Sequence, residues 1–170
     1  EIEREKSEQL LLNVLPREIA DRLKEHQAII ADAFSDVTVL FANLVGFTEF
    51  VASESPRQVV GVLNEIFSAF DRLAERHGLE KIKTIGDGYM VVAGLPTPRK
   101  DHAEAMADMA LDMQEKFARF QAHSHVLTVR ISINSGPVVA GVIGTHKSAY
   151  YELWGDTVNV ARQMASEGLP

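Results

Sequence analysis

Asp87 stands between two glycines, Gly86 and Gly88, inside the run KIKTIGDGYMVV at residues 81–92. β-forming residues on either side of Gly-Asp-Gly read as two strands joined by a tight turn, which holds one carboxylate at the tip of a hairpin. A second run, VTVLFANLVGFT at residues 37–48, reads as a buried strand entering a glycine-containing turn. Side by side, the two bring residue 43 and Asp87 to one edge of a sheet. An acidic pair there would hold a divalent cation against a polyphosphate, as phosphoryl transfer requires. Residue 43, however, is Asn. Its amide keeps a carbonyl ligand and gives up a charge, so the choice between a working site and a disabled one turns on this position.

Other chemistries find little support. An Asp-Gly pair between strands is first of all a hairpin turn. Gly136, Gly141 and Gly144 are not followed by Lys-Ser or Lys-Thr, so they form no phosphate loop. The six histidines (26, 77, 102, 123, 125 and 146) lack metal-ligand spacing, and His123 and His125 read as solvated loop residues. No Ser-His-Asp or Cys-His set emerges.

The elements that must position these residues follow from periodicity. Val59, Leu63, Ile66, Phe67, Phe70 and Leu73 form one stripe of a helix over Pro56–Arg76, stopped by Gly78. Residues 79–85 and 89–93 are the hairpin strands. A second helix is expected over residues 101–120, with Ala103, Met106, Ala110, Met113, Phe117 and Phe120 as a core stripe. Residues 126–134 alternate as a half-buried strand, which Ser135-Gly136-Pro137 is expected to turn into another at 138–143. Gly155 and Asp156 open a helix running through Met164. The order β-α-ββ-α-ββ-α predicts an α+β fold of ferredoxin-like βαββαβ type, with helices on one face of a mainly antiparallel sheet.

The 170 residues are 46% hydrophobic, which suits one compact domain and one appended element. A net charge of −7 argues against nucleic acid as a partner. The absence of cysteine excludes disulfides, thiolate metal sites and Cys nucleophiles, and fits a reducing compartment. No apolar run is long enough to span a membrane. Residues 1–32 read as a charged helical segment with a narrow stripe of Leu12, Leu15, Ile19 and Leu23, broken at Pro16 into helix, break, helix. It serves either as a surface helix packed on its own domain or as a dimerising stalk. Residues 33–170 form the main domain. The missing initial Met and the turn-like ending Gly168-Leu169-Pro170 read as a piece cut from a longer chain.

In order along the chain, FANLVGFT (41–48), EKIKTIGDGYMVVAGLP (80–96), SINSGPVVAGVIG (132–144) and YYELWGDTVNVA (150–161) closely resemble the catalytic domain of class III adenylyl and guanylyl cyclases. Upstream, EKSEQLLLNVLPREIADRL (5–23) resembles the signalling helix that precedes this domain in bacterial membrane-bound and soluble guanylyl cyclases. The resemblance implies the class III nucleotidyl cyclase fold and a homodimer through the catalytic domain and N-terminal helix. It also implies a cytoplasmic domain whose parent carries an upstream sensor or a membrane anchor. The family's domain continues through further strands and a phosphate-binding Lys, so the C-terminal part is expected to be missing.

In that family two domains pair head to tail and share the nucleotide site. One protomer holds two metal ions, Mg²⁺ or Mn²⁺, on two Asp residues; the other reads the base and supplies an Asn for the ribose and an Arg for the transition state. Carried over by motif, Asp87 and Asn43 fall on the metal positions, so one ion is expected to be weakened by Asn43. Residues 44–48 (Leu44, Val45, Gly46, Phe47 and Thr48) fall on the phosphate loop. Lys83 falls on the base-reading position that is Lys in adenylyl and Glu in guanylyl cyclases, which implies ATP; Glu152 holds the partner position. Asn159 matches the ribose Asn. Where the family reads Val-Asn-x-Ala-Ser-Arg-Met, this chain has Gln163 at the Arg position and Arg162 one residue earlier. The resemblance therefore implies an adenylyl cyclase that makes cyclic AMP and pyrophosphate by two-metal catalysis, with activity reduced by Asn43 and Gln163. The alternatives are a catalytically silent dimerising or regulatory module and a deliberately inactivated variant.

Overall fold

The computed structural model describes residues 2–5, 15–25, 29–144 and 149–168. Its centre is a mainly antiparallel six-stranded sheet in the order β2-β3-β1-β5-β4, with β6 paired to β5. Strand β1 (Ala31–Val45) and strand β5 (His125–Gly144) form the long middle pair. Their neighbours are β2 (Glu80–Ile85), β3 (Gly88–Ala93), β4 (Phe120–Ala122) and β6 (Ala149–Trp154).

Along β1, Val37, Val39 and Phe41 enter one hydrophobic cluster while Leu40, Ala42 and Leu44 enter another. Apolar residues occupy both faces because both are covered, which is why this strand reads as a continuous apolar run. The second of these clusters lies under two long helices, α3 (Pro56–Arg76) and α4 (His102–Phe117). A capping box starts α3: Ser55 Oγ accepts from the Gln58 amide at 3.3 Å, and Pro56 fills the first turn. A short helix, α2 (Phe47–Ser53), precedes it.

The expectation of helices on one face holds for α3 and α4. The opposite face is covered too, by α1 (Arg17–Lys24) and α5 (Asp156–Glu167). Leu15, Ile19, Ala20 and Ile30 pack there with Val158, Ala161 and Ala165. Pro16 is the N-cap of α1, as a residue unable to continue a helix from upstream should be. Leu12 and the rest of residues 6–14 lie outside the described residues; of the first of the two predicted helices only residues 2–5 are described, and they are helical.

Two local expectations are corrected. Ser135-Gly136-Pro137 makes no turn; β5 runs straight through it for 20 residues. Pro137 lacks an amide proton, and the sheet accommodates it at a bulge where Ser35 and Asp36 of β1 stand opposite it. Gly136 serves close approach, since a Cβ there would lie 2.5 Å from Thr157 Oγ1 in the first turn of α5. The second helix ends at Phe117, not at 120. Phe120 instead opens the short strand β4, with its ring 6.0 Å from that of Phe117.

Candidate nucleotide site

The β2–β3 register, with Ile85 opposite Gly88, leaves Gly86 and Asp87 as a two-residue hairpin loop. On the neighbouring strand, Asn43 is paired with Gly88 of β3 and Arg130 of β5. The Leu44 amide donates to the Asp87 carbonyl at 3.3 Å, which ties the two segments together. The half-buried Asp87 carboxylate makes no hydrogen bond or ion pair with the described residues. Asn43 Nδ2 donates to the Ala165 carbonyl at 3.3 Å, while its Oδ1 lies 3.0 Å from the place a Cβ on Gly88 would occupy. Of the expected loop at 44–48, only Gly46 (φ 87°) is outside regular structure. Leu44 and Val45 end β1, with the Leu44 side chain in the core, and Phe47 and Thr48 begin α2.

Beside this pair lies a cleft of about 140 Å³ between the sheet and α5. It is lined by Asn43, Lys83 and Arg162 together with Phe41, Met90 and Ala165. Lys83 Nζ donates to Glu152 Oε2, which links β2 to β6; the other Glu152 oxygen accepts from the Leu153 amide at 3.0 Å. Tyr89 borders the cleft as well. Burial first, and then its 2.7 Å hydrogen bond to Asp71, hold its phenol well above the usual tyrosine range and thus protonated.

Helix α5 carries the remaining predicted residues, and side chains of β1 and β5 hold it down. Asn134 Nδ2 donates to the Thr157 carbonyl at 3.0 Å, and Ser132 Oγ to the Ala161 carbonyl at 2.5 Å. Arg130 donates to the Ala165 and Ser166 carbonyls at 3.4 and 3.2 Å. The acceptors at 157, 161 and 165 are one row of the helix, and the donors at 130, 132 and 134 are one face of the strand. Sequence reading treats that face as the exposed side of a half-buried strand; it is the seat of α5. Three alternate side chains that all donate are the signal for this, together with the small buried residues Ala161 and Ala165 opposite.

Seated in this way, α5 turns Asn159 and Gln163 to the exterior, four residues apart on one side. Arg162, about 100° round from Gln163, lines the cleft with its guanidinium carbon 5.5 Å from the centre of the Phe41 ring. The structure thus gathers Asn43, Lys83, Glu152 and Arg162, sets Asp87 beside them, and leaves Asn159 and Gln163 facing outward. Phe41, Met90 and Arg130 are participants that motif reading misses. His125, expected in solvent, begins β5 with Nε2 3.1 Å from Ser53 Oγ and its ring edge-on to Phe50. Among the described residues no cluster of three His, Cys, Asp or Glu side chains is poised to hold a metal, and no helix is long and apolar enough to cross a membrane.

Residues 29–170 match the family described as adenylate and guanylate cyclase catalytic domain. An adenylate cyclase of Mycobacterium tuberculosis is 49% identical over 98% of the chain, and the soluble guanylate cyclase subunit beta-2 of Rattus norvegicus is 43% identical over 99%. The chain spans 38% and 25% of the lengths of these two proteins. The catalytic core of a rhodopsin-guanylyl cyclase with converted specificity, solved with ATPαS, superposes with a TM-score of 0.76 at 38% identity, covering 81% of this chain and 74% of that one. Sheet order, the hairpin loop beside Asn43 and these matches agree, and the chain belongs to the adenylate and guanylate cyclase catalytic-domain family.

Proposed function

We propose that the chain is an adenylyl-type cyclase domain that converts ATP to 3′,5′-cyclic AMP and pyrophosphate between two head-to-tail copies, with turnover lowered by Asn43 and Gln163. The observation that carries this reading is the contact of Lys83 with Glu152 at the cleft. The ammonium donates to a ring nitrogen of adenine, and the carboxylate accepts from its exocyclic amine. The Asp87 carboxylate, without a hydrogen-bond or ion-pair partner among the described residues, and the Asn43 Oδ1 are hard oxygen donors on the hairpin loop and the neighbouring strand and fit a Mg²⁺ or Mn²⁺ ion. Such an ion, when bound, neutralises charge on the phosphates and favours ionisation of the attacking ribose hydroxyl. Asn159, outward on α5, is placed to orient the ribose of a nucleotide held on a second copy. Gln163 beside it lacks the charge that would stabilise the pentavalent phosphate.

Base choice is tested by Lys83→Glu combined with Glu152→Cys, which is expected to shift preference toward GTP. An unchanged ATP preference removes Lys83 from base reading.

A second reading, a silent cyclase-homology module, draws on the Asn43 Nδ2 contact with Ala165. An Asp cannot donate that bond, so the amide serves to seat α5. Restoring Asn43→Asp and Gln163→Arg, separately and together, with cyclic AMP measured under Mg²⁺ and Mn²⁺, decides between the two. A reduced enzyme shows measurable activity that rises on the order of 10²-fold per restored group. A silent module shows none before restoration. If the unmodified chain already matches the double variant, neither substitution disables the site.

A further inference from the structure

We infer that Arg162 is a base-stacking residue of the cleft and not a substitute for the missing phosphate-contacting arginine; this rests on the reading of the cleft as the nucleotide's base site. The guanidinium carbon lies over Phe41, 5.5 Å from the ring centre, and the group makes no hydrogen bond or ion pair with the described residues. A planar cation resting on an aromatic ring presents its other face, and its N–H edge, to the space in front of it. That space is the cleft whose wall also includes Lys83, paired with Glu152. A purine whose edge is read by Lys83 and Glu152 would have its flat face on the guanidinium, giving a stack of Phe41, Arg162 and base. Stacking of this kind needs a flat, polarisable surface and no particular pattern of donors, which a heteroaromatic base supplies and a phosphate does not.

The alternative requires Arg162 to leave Phe41 and swing toward the side of α5 occupied by Gln163 and Asn159. The polar seat fixes that helix through Thr157, Ala161 and Ala165, so the side chain alone would have to cover the angular difference. Doing so would break the ring contact and lose the planar alignment that a two-pronged phosphate contact demands. Arg162 therefore belongs with base binding: its plane adds affinity for nucleosides and nothing for the triphosphate tail.

Calorimetric titration of the 170-residue chain and of Arg162→Ala and Arg162→Lys with adenosine, ATP and inorganic tripolyphosphate tests this. Arg162 is exposed on a helix, so both variants are expected to keep the parent's melting temperature. The Ala variant should lose adenosine and ATP affinity by the same factor, about 3- to 30-fold, with tripolyphosphate unchanged. The Lys variant should resemble Ala, because an ammonium keeps the charge without the plane. Loss confined to ATP and tripolyphosphate would assign Arg162 to the phosphates and overturn the inference, as would no change with any of the three. Failure of the unmodified chain to bind either adenosine or ATP would instead remove the nucleotide reading, and the inference with it.

Discussion

Where α3 and α4 cover the sheet, the interface is made of rings and thioethers. Phe70 packs edge-on to Tyr89 and Phe117 at 5.3 and 5.2 Å, with Met106, Met109 and Met113 beneath. Where α5 covers the other face, the buried residues are small, Val158, Ala161 and Ala165, and the helix backbone lies close enough for strand side chains to reach its carbonyls. Bulk defines the first interface and direction defines the second. Apolar packing is proportional to area and tolerates small displacement, whereas a hydrogen bond weakens steeply with angle. The face beside the cleft, where residues of α5 need fixed positions, is the one held by directional contacts.

This contrast can be broken or sharpened by substitution. The largest expected effect is Phe70→Ala, a loss of about 3–5 kcal/mol in urea unfolding, because a fully buried ring leaves a cavity. Ser132→Ala should cost less, about 1–2 kcal/mol. Yet it should weaken ATP binding, which a variant of equal stability loss on the α4 face should not. Equal effects of the two on binding would erase the distinction between the faces.

A smaller effect is expected of Glu80→Gln. Burial first, and then the nearby Glu18, push the Glu80 carboxyl above its usual range. The folded state thus favours the protonated acid, and the chain loses stability as pH rises through the ordinary carboxylate range. The Gln variant should be more stable at neutral pH, by on the order of 0.5 kcal/mol, and equal to the parent near pH 3. An unchanged pH profile of melting temperature would contradict this. Smallest is Tyr151→Phe. The buried Tyr151 hydroxyl has no hydrogen-bond partner among the described residues, so its removal should leave stability unchanged or slightly raised. A loss above about 1 kcal/mol would show that the hydroxyl has a partner in solution.

The elements most legible in the sequence are those set by short-range signals. Ser55-Pro56 with Gln58 announces the start of α3, and Gly86-Asp87-Gly88 announces the hairpin, because a cap and a tight turn depend on a few adjacent residues. Continuity of β5 through Gly136-Pro137 was not legible, since what permits it is a bulge about 100 residues away in β1. The second covered face was hidden for a related reason. Arg130, Ser132 and Asn134 look like a solvated edge until α5 supplies acceptors for them. The cyclase motifs mark Asn43, Lys83, Asp87, Glu152 and Asn159 as a group, but motif spacing does not say which way Arg162 turns; its orientation follows from the seat of the helix and from Phe41.

That seat acts as a vernier. Two residues of strand advance about 6.6 Å while four residues of helix advance about 6.0 Å, so the two scales slip by about 0.6 Å per step. Three graduations stay aligned within hydrogen-bond tolerance; a much longer rule would drift out of phase. Sliding α5 by a fraction of a graduation unhooks all three marks at once. A whole graduation, about 6 Å, carries Thr157 away from the notch at Gly136. The helix thus has detents rather than a continuous track. Adjustment of the cleft falls to the hairpin bearing Lys83 and Asp87, while α5 remains its fixed datum.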